Sequence, residues 1–432
     1  MTLKRFDNVV IPQHFGCLLY VRKTHEYLPY DRLTTDVLIH AAKQSLFKLA
    51  GPLANQISPK QMDAFCKIGR RMKFLDRNGC FLGEVISTKP PRDHLIAPLT
   101  LHVSVTQSCD LKCRHCFAAP EMSSPDKRLL NPDQLEQLSR ECVDMGCMRM
   151  ALTGGEPLNR PDIFELIDTA MDKGIDVCLT TNGIRIDKDI SRELAKRPLA
   201  WINISLDGAC AKTNDAIRGK GTFDKVTGNI IRHLRWRVPF GLSFTINKLN
   251  IGELLALPGL AKKLGAQALL LRGVYPLGRA KGAKEIHLSL SQYEKALVTL
   301  ASSSYPIRVV PTSCEAEEHE NMAVVFENYG CAAGNTTASV YHNGDVSPCS
   351  LIGDGVELEN LHNYSLTRIW NNSRGFKKIR ELSPPGICRG CDVYTSCSGG
   401  CRARAWAAYR DIQAPDPWCK AIRKSAEEKA YL

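Results

Sequence analysis

The chain has 432 residues, of which 44% are hydrophobic and 24% are charged, and its formal net charge is +12. This length allows two or three domains that each bury a core, and no apolar run approaches the roughly 18 residues that a membrane span needs. The first residues also lack the apolar stretch of a signal peptide. We therefore expect a cytoplasmic protein, in which the 18 cysteines indicate metal ligation or catalysis rather than disulfides.

The N-terminal part of the chain predicts a small domain of strands and helices. Segments 16–23 and 26–30 are strand-like and would pair as a hairpin, and a helix is expected over 35–49. A second helix is expected over 58–73, because it opens with a serine N-cap followed by proline. A turn signal at 77–79 separates two strand-like flanks. Together these elements are typical of a winged-helix domain.

The middle of the chain alternates strand-like and helical segments. Asn131 and Pro132, for example, start a helix that Gly146 ends. Six such units are too few to close an eight-stranded barrel, so we expect a partial, open (β/α)6 barrel of the TIM type with parallel strands. Functional residues should then follow the C-terminal ends of the strands. The six strand-like runs are 101–107, 149–154, 176–182, 201–207, 240–247 and 268–274.

The alternation stops near Pro311, where short strands, glycine-rich turns and cysteines follow. A region with so little long apolar periodicity needs cross-links to stabilise its fold, and bound metal clusters can supply them. Prolines make 87–98 a linker, because they cannot continue a helix or a central strand. We therefore expect an α/β fold with a winged-helix-like domain over 1–95, the partial barrel over 98–308 and a cysteine-rich iron–sulfur domain over 311–432.

Three cysteines follow the first strand of the barrel. Cys109, Cys113 and Cys116 have C-x3-C-x2-C spacing, which supplies three thiolates from one loop and leaves one iron of a four-iron cluster open to a chelating molecule. A zinc site is the alternative. Zinc would need a fourth protein ligand, and His115 is poorly placed for this role because it adjoins Cys116. The spacing therefore favours an iron–sulfur cluster.

This triplet resembles the hallmark of the radical S-adenosylmethionine (SAM) superfamily. The resemblance implies that the open iron binds the amino and carboxylate groups of SAM. It also implies that one electron, from a donor such as flavodoxin or ferredoxin, splits the sulfonium bond and releases a 5′-deoxyadenosyl radical. In such enzymes the cofactor carries the chemistry, and the protein orients it and excludes water.

Motifs after later strands support the resemblance, because TGGEP, SLDG and AIRG occur in order on successive units. The glycines of TGGEP permit close backbone approach, and a guanidinium binds carboxylates bidentately. A plain strand–turn–helix junction explains TGGEP alone but not the ordered set. The resemblance implies that SAM is contacted by Gly154, Gly155 and Glu156 at its amino group, Ser205 and Asp207 at the ribose, Arg218 at the carboxylate, and His115 and Leu270 at the adenine.

The C-terminal cysteines resemble the seven-cysteine SPASM domain of peptide- and protein-modifying radical SAM enzymes. Structural zinc knuckles are the alternative, which the spacing disfavours. Cys314 either completes the nearer of two auxiliary clusters or leaves that cluster with an open iron. The resemblance implies that the nearer cluster is held by Cys331, Cys349 and Cys401, and the distal cluster by Cys388, Cys391, Cys397 and Cys419.

A winged-helix pattern ahead of a radical barrel resembles the leader-recognition element of ribosomal-peptide maturases. Such elements bind the leader of a precursor peptide as an added strand at a hairpin edge. The first 100 residues hold 15 Lys or Arg against 8 Asp or Glu, which would suit an acidic leader. The sequence therefore predicts an enzyme that installs a thioether, a carbon–carbon crosslink or a related oxidation in a precursor peptide.

Two other functions compete with this one. The first is a radical SAM enzyme with another substrate, such as a sulfatase-maturing oxidase or a tetrapyrrole decarboxylase. The second is an iron–sulfur regulator that binds DNA through its winged helix. A regulator would not need TGGEP, SLDG or Arg218, so neither nucleic acid nor a membrane is an expected partner.

Overall fold

The computed structural model contains a four-stranded sheet and a ten-stranded sheet with helices packed around them. No helix in the described part of the chain is long and apolar enough to cross a membrane. Cys314 lies outside the described residues. The described residues are 7–119, 130–301, 304–311, 331–383, 385–392 and 394–419.

The four-stranded sheet lies at the N-terminus. Its strands are β1 (Asn8–Gln13), β2 (Gly16–Val21), β3 (Glu26–Asp31) and β4 (Glu84–Val85). The expected hairpin is formed by β2 and β3, which pair antiparallel. The sequence did not predict β1, which lies between β2 and β4 and pairs parallel with β4. The flanks of the turn at 77–79 do not form a second hairpin, because only an isolated bridge joins Leu75 and Phe81.

Two helices cover one face of this sheet: α1 (Arg32–Lys43) and α2 (Pro59–Met72). The first begins and ends earlier than expected, because Asp31 caps it by accepting a hydrogen bond from Thr34 N at 2.8 Å. The second begins where the sequence predicts, since Ser58 and Gln61 bond each other's backbone N–H in a reciprocal cap.

Strand β2 is buried on both faces of the sheet. Successive side chains of a strand point to opposite faces, so its residues are divided between two cores. On one side, Val10 and Leu19 pack with the two helices in a small core. On the other side, Leu18 and Tyr20 belong to the large core that continues into the barrel. The N-terminal sheet is therefore seated on the barrel rather than tethered beside it.

The barrel is open and parallel, as the sequence predicts. Its strand order follows the chain, and a seventh parallel strand extends the expected six at one edge. The strands are β5 (Thr100–Thr106), β6 (Arg149–Gly154), β7 (Asp176–Thr181), β8 (Trp201–Ser205), β9 (Gly241–Ile246), β10 (Ala268–Gly273) and β11 (Arg308–Pro311).

Helices follow the strands on the outside of the barrel. Asn131 caps α3 and Gly146 ends it with a left-handed backbone, both as predicted. The helices are α3 (Pro132–Met145), α4 (Ile163–Asp172), α5 (Lys188–Ala195), α6 (Ala211–Arg218), α7 (Thr222–Asn229), α8 (Leu257–Leu264) and α9 (Leu290–Ala301).

The C-terminal region continues the barrel sheet, because its first strand pairs parallel with β5. Trp370 is fully buried, and its indole N–H donates to Leu95 O at 2.8 Å. The remaining elements are β12 (Thr337–Val340), β13 (Asp345–Ser347), β14 (Glu359–Asn360), α10 (Leu366–Asn372), α11 (Arg374–Arg380), α12 (Tyr394–Cys397) and α13 (Arg402–Tyr409).

The two faces of the barrel sheet differ in polarity. Leu152 and Leu179 point outward and are fully buried in the large core. Thr153, Thr180 and Ser205 point to the inner face and are only half-buried. Since most parallel sheets are apolar on both faces, this polar, partly open inner face marks the part of the barrel available to ligands.

Candidate active site

The three cysteines of the triplet lie on one loop directly after β5. Cys113 is 8% exposed, while Cys109 and Cys116 are half-buried. Burial raises the pKa of Cys109 to about 11 and also raises the pKa of Cys113. Metal ligation requires thiolates, so cluster binding at these buried thiols must release protons.

Two glycines bring the end of β6 against this loop. Gly155 N donates to Thr106 O at 2.8 Å. A Cβ atom on Gly155 would lie 2.1 Å from Ser108 O, and Gly154 has a φ of +135°. Because only glycine tolerates both conditions, the TGGEP motif fixes the position of the cysteine loop.

Glu156 is fully buried and joins three segments of the site. Its carboxylate accepts hydrogen bonds from Leu158 N at 3.0 Å, Thr181 Oγ1 at 2.7 Å and Asn182 N at 2.6 Å. Asn182 Nδ2 donates in turn to Asp110 Oδ1 in the cysteine loop, at 2.6 Å. Burial raises the pKa of Glu156 to about 7, although the hydrogen bonds from Asn182, Thr181 and Leu158 act to lower it. A carboxylate offers about four acceptor positions, so Glu156 can also accept from a bound amine.

Asp207 is fully buried and lies where several strand ends meet. Its Oδ1 accepts from Thr245 N at 2.6 Å, and its Oδ2 lies 2.5 Å from Arg218 Nε and 3.4 Å from His115 Nε2. Arg218 Nη1 lies 3.9 Å from Cys113 Sγ. The structure therefore brings the SLDG aspartate and the AIRG arginine together above the cysteine loop.

Ser205 and Leu270 face the same point of the inner surface. Both pair in register with Ser243 of the intervening strand. His115 comes from the cysteine loop, and its Nδ1 is buried with no hydrogen-bond partner among the described residues. Such an atom is costly unless a ligand or water satisfies it.

These groups fit the chemistry of SAM. The molecule carries an ammonium, a carboxylate, ribose hydroxyls and an adenine, and the site offers the Glu156 carboxylate, the Arg218 guanidinium, the Ser205 hydroxyl and the unpaired Nδ1 of His115. The glycine cradle and three thiols on one loop fit a four-iron cluster with one open iron. The residues present are thus suited to hold both groups.

Sequence reasoning missed one segment of the site, which follows β10. Arg279 N donates to Cys116 O at 3.0 Å, and Arg279 Nε donates to Cys113 O at 3.0 Å. The segment lies after the C-terminal end of the last predicted strand, where functional residues were expected. That position was the signal in the sequence, although no motif marked the arginine itself.

Three C-terminal cysteines lie together. Burial and then the neighbouring Cys401 raise the pKa of the Cys331 thiol. Burial raises the pKa of Cys349 to about 12, with Cys401 and Cys331 contributing. Cys401 is buried in a small core, and the half-buried Cys331 and Cys349 pack against the same core, so the three thiols lie in one place, as a shared cluster would require.

The other four C-terminal cysteines form a second, more exposed group. Burial raises the pKa of Cys388, and the nearby thiols of Cys419, Cys397 and Cys391 raise it further. Among the described residues, no three His, Cys, Asp or Glu side chains are close enough to hold a single metal ion.

A buried ion pair joins the two C-terminal cysteine groups. Arg404 Nη2 lies 2.6 Å from Asp416 Oδ2, and the same oxygen accepts from Cys401 N at 2.7 Å. Asp416 O accepts from Cys419 N at 2.8 Å. A Cβ on Gly400, which has a φ of +80°, would lie 2.5 Å from the Asp416 side chain. Sequence analysis did not identify Asp416 or Arg404, because their pairing depends on how the loops fold back.

Two parts of the chain match known families. Residues 103–257 match the family described as the radical SAM superfamily, and residues 331–392 match SPASM, described as an iron–sulfur cluster-binding domain. The two matches contain the cysteine triplet and four of the seven assigned C-terminal cysteines, while Cys397, Cys401 and Cys419 follow the second match.

Three known proteins resemble the chain over most of its length. An AdoMet-dependent heme synthase of Methanosarcina barkeri is 31% identical over 343 residues, which are 75% of this chain and 96% of that protein. The mycofactocin maturase MftC of Mycobacterium tuberculosis is 30% identical over 333 residues, covering 75% and 83%. The structure of Streptococcus suis SuiB bound to precursor peptide SuiA matches 96% of this chain and 98% of that chain, with a TM-score of 0.70 and 18% identity.

Proposed function

Because the chain belongs to the radical SAM superfamily and carries an iron–sulfur SPASM domain, we propose that it modifies a ribosomally made precursor peptide. SAM and iron–sulfur clusters are its cofactors. When bound, they supply one-electron cleavage of SAM to methionine and a 5′-deoxyadenosyl radical, which abstracts hydrogen from the substrate. The protein's own residues bind and orient these groups and exclude water.

The chain's part in SAM binding follows from the fixed polar network. Asp207 holds Arg218 by its Nε, which leaves the Nη groups of the guanidinium directed toward the cysteine loop. In this proposal Arg218 binds the methionine carboxylate, and Glu156 accepts from the methionine ammonium. Ser205 bonds the ribose on the half-open inner face. Pre-set polar groups of this kind need little reorganisation when the ligand binds.

The main observation that supports a peptide substrate is the open edge of the N-terminal sheet. Within the described residues, β3 is the last strand on its side of the sheet. The fold likeness to SuiB covers 96% of the chain and so includes most of the N-terminal domain. Peptides often bind by adding a strand to such an edge.

Two prolines show which backbone groups of the hairpin face outward. Pro12 lies opposite Cys17, and Pro29 lies opposite Leu18. Because proline has no N–H, both pairs must be the non-hydrogen-bonded kind. The two prolines require the same register, because Cys17 and Leu18 are neighbours in β2 and must direct their backbone groups to opposite edges of that strand. Cys17 therefore bonds β3, and Leu18 bonds β1.

This register leaves a defined row of backbone groups on the outer edge of β3. Tyr27 directs both N–H and C=O away from β2, and Pro29 directs only its C=O. Asp31 offers only its N–H, because its carbonyl oxygen already accepts from Thr35 Oγ1 in α1. An added peptide strand would therefore find two donors and two acceptors along this edge. The excess of Lys and Arg over Asp and Glu in the first 100 residues favours an acidic peptide there.

Hydrogen exchange tests the peptide proposal without any substitution. The probe is the peptide encoded by a short reading frame beside the gene, added to the reconstituted full chain. We expect slower amide exchange in 26–31, because the added strand would protect the outward N–H groups. Segment 8–13 is the internal control, since β1 already has a strand on each side. A peptide that the enzyme modifies but that leaves 26–31 unprotected would refute leader binding at this edge.

A second function is favoured by the similarity to the AdoMet-dependent heme synthase. In that case the substrate is a tetrapyrrole that loses side-chain carboxyl groups. Incubation with a propionate-bearing iron tetrapyrrole, SAM and a reductant separates the two functions by mass spectrometry. Decarboxylated tetrapyrrole with no effect of the precursor peptide would favour this second function.

A further inference from the structure

The segment after β10 holds the cysteine loop from the side opposite the TGGEP glycines. Its short helix, Gly278–Lys281, places the backbone N–H of Arg279 3.0 Å from Cys116 O and its Nε 3.0 Å from Cys113 O. Gly278 has a φ of +54°, and a Cβ there would lie 2.2 Å from Phe117 O. The contact is therefore backbone against backbone, and glycine is required for it.

The same segment touches the C-terminal cysteine domain on its other side. Tyr275 and Leu277 pack against the small core that contains Cys401, with Cys331 and Cys349 beside it. One short stretch of chain thus contacts both the SAM-binding loop and the nearer auxiliary site. Its position is determined by both.

The charges around the cysteine loop give Arg279 a distinct role. Arg218 forms an ion pair with the buried Asp207, so much of its charge is offset. Arg279 adds a second positive charge at this loop, because its Nε donates to Cys113 O at 3.0 Å and so holds the guanidinium beside one of the three cysteines. Reduction adds negative charge to a cluster, and a nearby cation favours that change.

We propose that Arg279 is a positioning residue that orients the SAM-binding cluster and raises its reduction potential. The proposal rests on the ligand set Cys109, Cys113 and Cys116, but it does not depend on the substrate. It assigns to the loop after β10 a role that none of the recognised motifs contains. The potential of the cluster would then be set partly by a contact that also reaches the C-terminal domain.

The test is the midpoint potential of the cluster in reconstituted full-length protein. Electron paramagnetic resonance follows the redox titration, and the signal that changes on adding SAM identifies this cluster among the three. For Arg279→Gln we expect reduction to become about tenfold less favourable, which is 59 mV for a one-electron couple. Arg279→Lys keeps the charge, so its potential should stay near that of the wild type.

The matched control is Arg140→Gln, which removes one positive charge from the exposed side of α3. Its potential should equal that of the wild type. An unchanged potential in Arg279→Gln with full iron content would overturn the proposal, as would a shift of the same size in Arg279→Lys. A wild-type protein without a SAM-responsive cluster would instead refute the ligand set and the proposed function.

Gly278→Ala provides an independent test, because it keeps the charge but must displace the segment from Phe117. We expect a lower potential in this variant as well. If Arg279→Gln loses its iron, Gly278→Ala decides, and a wild-type potential there overturns the proposal. If both variants lose the cluster while keeping wild-type circular dichroism, the segment orients the cluster but the effect on potential is rejected.

Discussion

Arg218 lies between Asp207 and Cys113, and its environment explains why arginine rather than lysine occupies the position. Its Nε lies 2.5 Å from Asp207 Oδ2 in an ion pair, while its Nη1 lies 3.9 Å from Cys113 Sγ. A guanidinium can make both contacts because its donors are spread over a rigid plane. A lysine ammonium is a single point of charge.

We expect Arg218→Lys to weaken SAM binding at least about tenfold, or about 1.4 kcal/mol, because the ammonium cannot hold Asp207 and a carboxylate in the same geometry. Equilibrium dialysis of SAM against the reconstituted protein measures this. Arg192→Lys, at an exposed position of α5, is the control and should bind normally. Equal affinity in the two variants would contradict the role given to Arg218.

The cysteine triplet gives a second prediction at this scale. Cys109→Ala, Cys113→Ala and Cys116→Ala should each abolish 5′-deoxyadenosine formation, because two thiolates cannot retain a cluster with one open iron. Anaerobic assays by chromatography measure the product. Cys80→Ser, in a turn of the N-terminal domain, should retain full activity. Undiminished product from the triple variant would show that the triplet is not the ligand set.

Residues inside a motif could be predicted from the sequence, and residues that act through long-range contacts could not. Gly155 and Asp207 could be proposed from the sequence because the spacing and order of their motifs identify them. Arg279 was missed because its bond to Cys113 joins positions 166 residues apart. The pairing of Arg404 with Asp416 was missed for a similar reason, since it forms only after α13 and the following loop pack together.

At the scale of elements, side chains of the β2–β3 hairpin form a buried polar network with Asp176 at the start of β7. Asp176 is fully buried there and accepts from Tyr20 Oη at 2.5 Å and Arg22 Nη1 at 2.7 Å. His25 Nδ1 lies 2.8 Å from the same carboxylate. Burial alone would raise the pKa of Asp176, but bonding to His25 and the charge of Arg22 outweigh burial and hold this pKa well below its usual range.

We expect Asp176→Asn to cost about 3 kcal/mol, because it leaves buried partners without their charge. Since the folded-state pKa is depressed, the stabilisation is present above the unfolded pKa of about 3.9 and is lost as pH falls below it. Thermal melts of wild type and variant measure the difference. The advantage of the wild type should therefore shrink below about pH 4, and an advantage that grows on acidification would contradict this account.

The elements themselves were largely predictable, with instructive exceptions. Ser58 and Asn131 begin their helices as expected, because capping is local chemistry. Strand β1 escaped prediction because its place in the sheet depends on pairing with both β2 and β4, and β4 follows only after both helices of this domain. The two-faced burial of β2 likewise depends on its being seated on the barrel.

For the whole molecule, the cysteine groups predict metal content. Three four-iron clusters give about 12 irons per chain. Elemental analysis of anaerobically reconstituted protein measures iron and zinc together. We expect Cys388→Ala to lose about four irons while the SAM-responsive signal remains. A wild-type count near four, with zinc making up the remainder, would favour zinc knuckles in the C-terminal domain.

The parallel pairing of β12 with β5 has a consequence for how the protein is made. The first barrel strand leaves the ribosome more than two hundred residues before its partner, a delay of roughly tens of seconds at bacterial rates of synthesis. During that time β5 presents an unpaired apolar edge, which is a site for aggregation. A chain truncated before β12 would keep this edge unpaired and would be prone to precipitate.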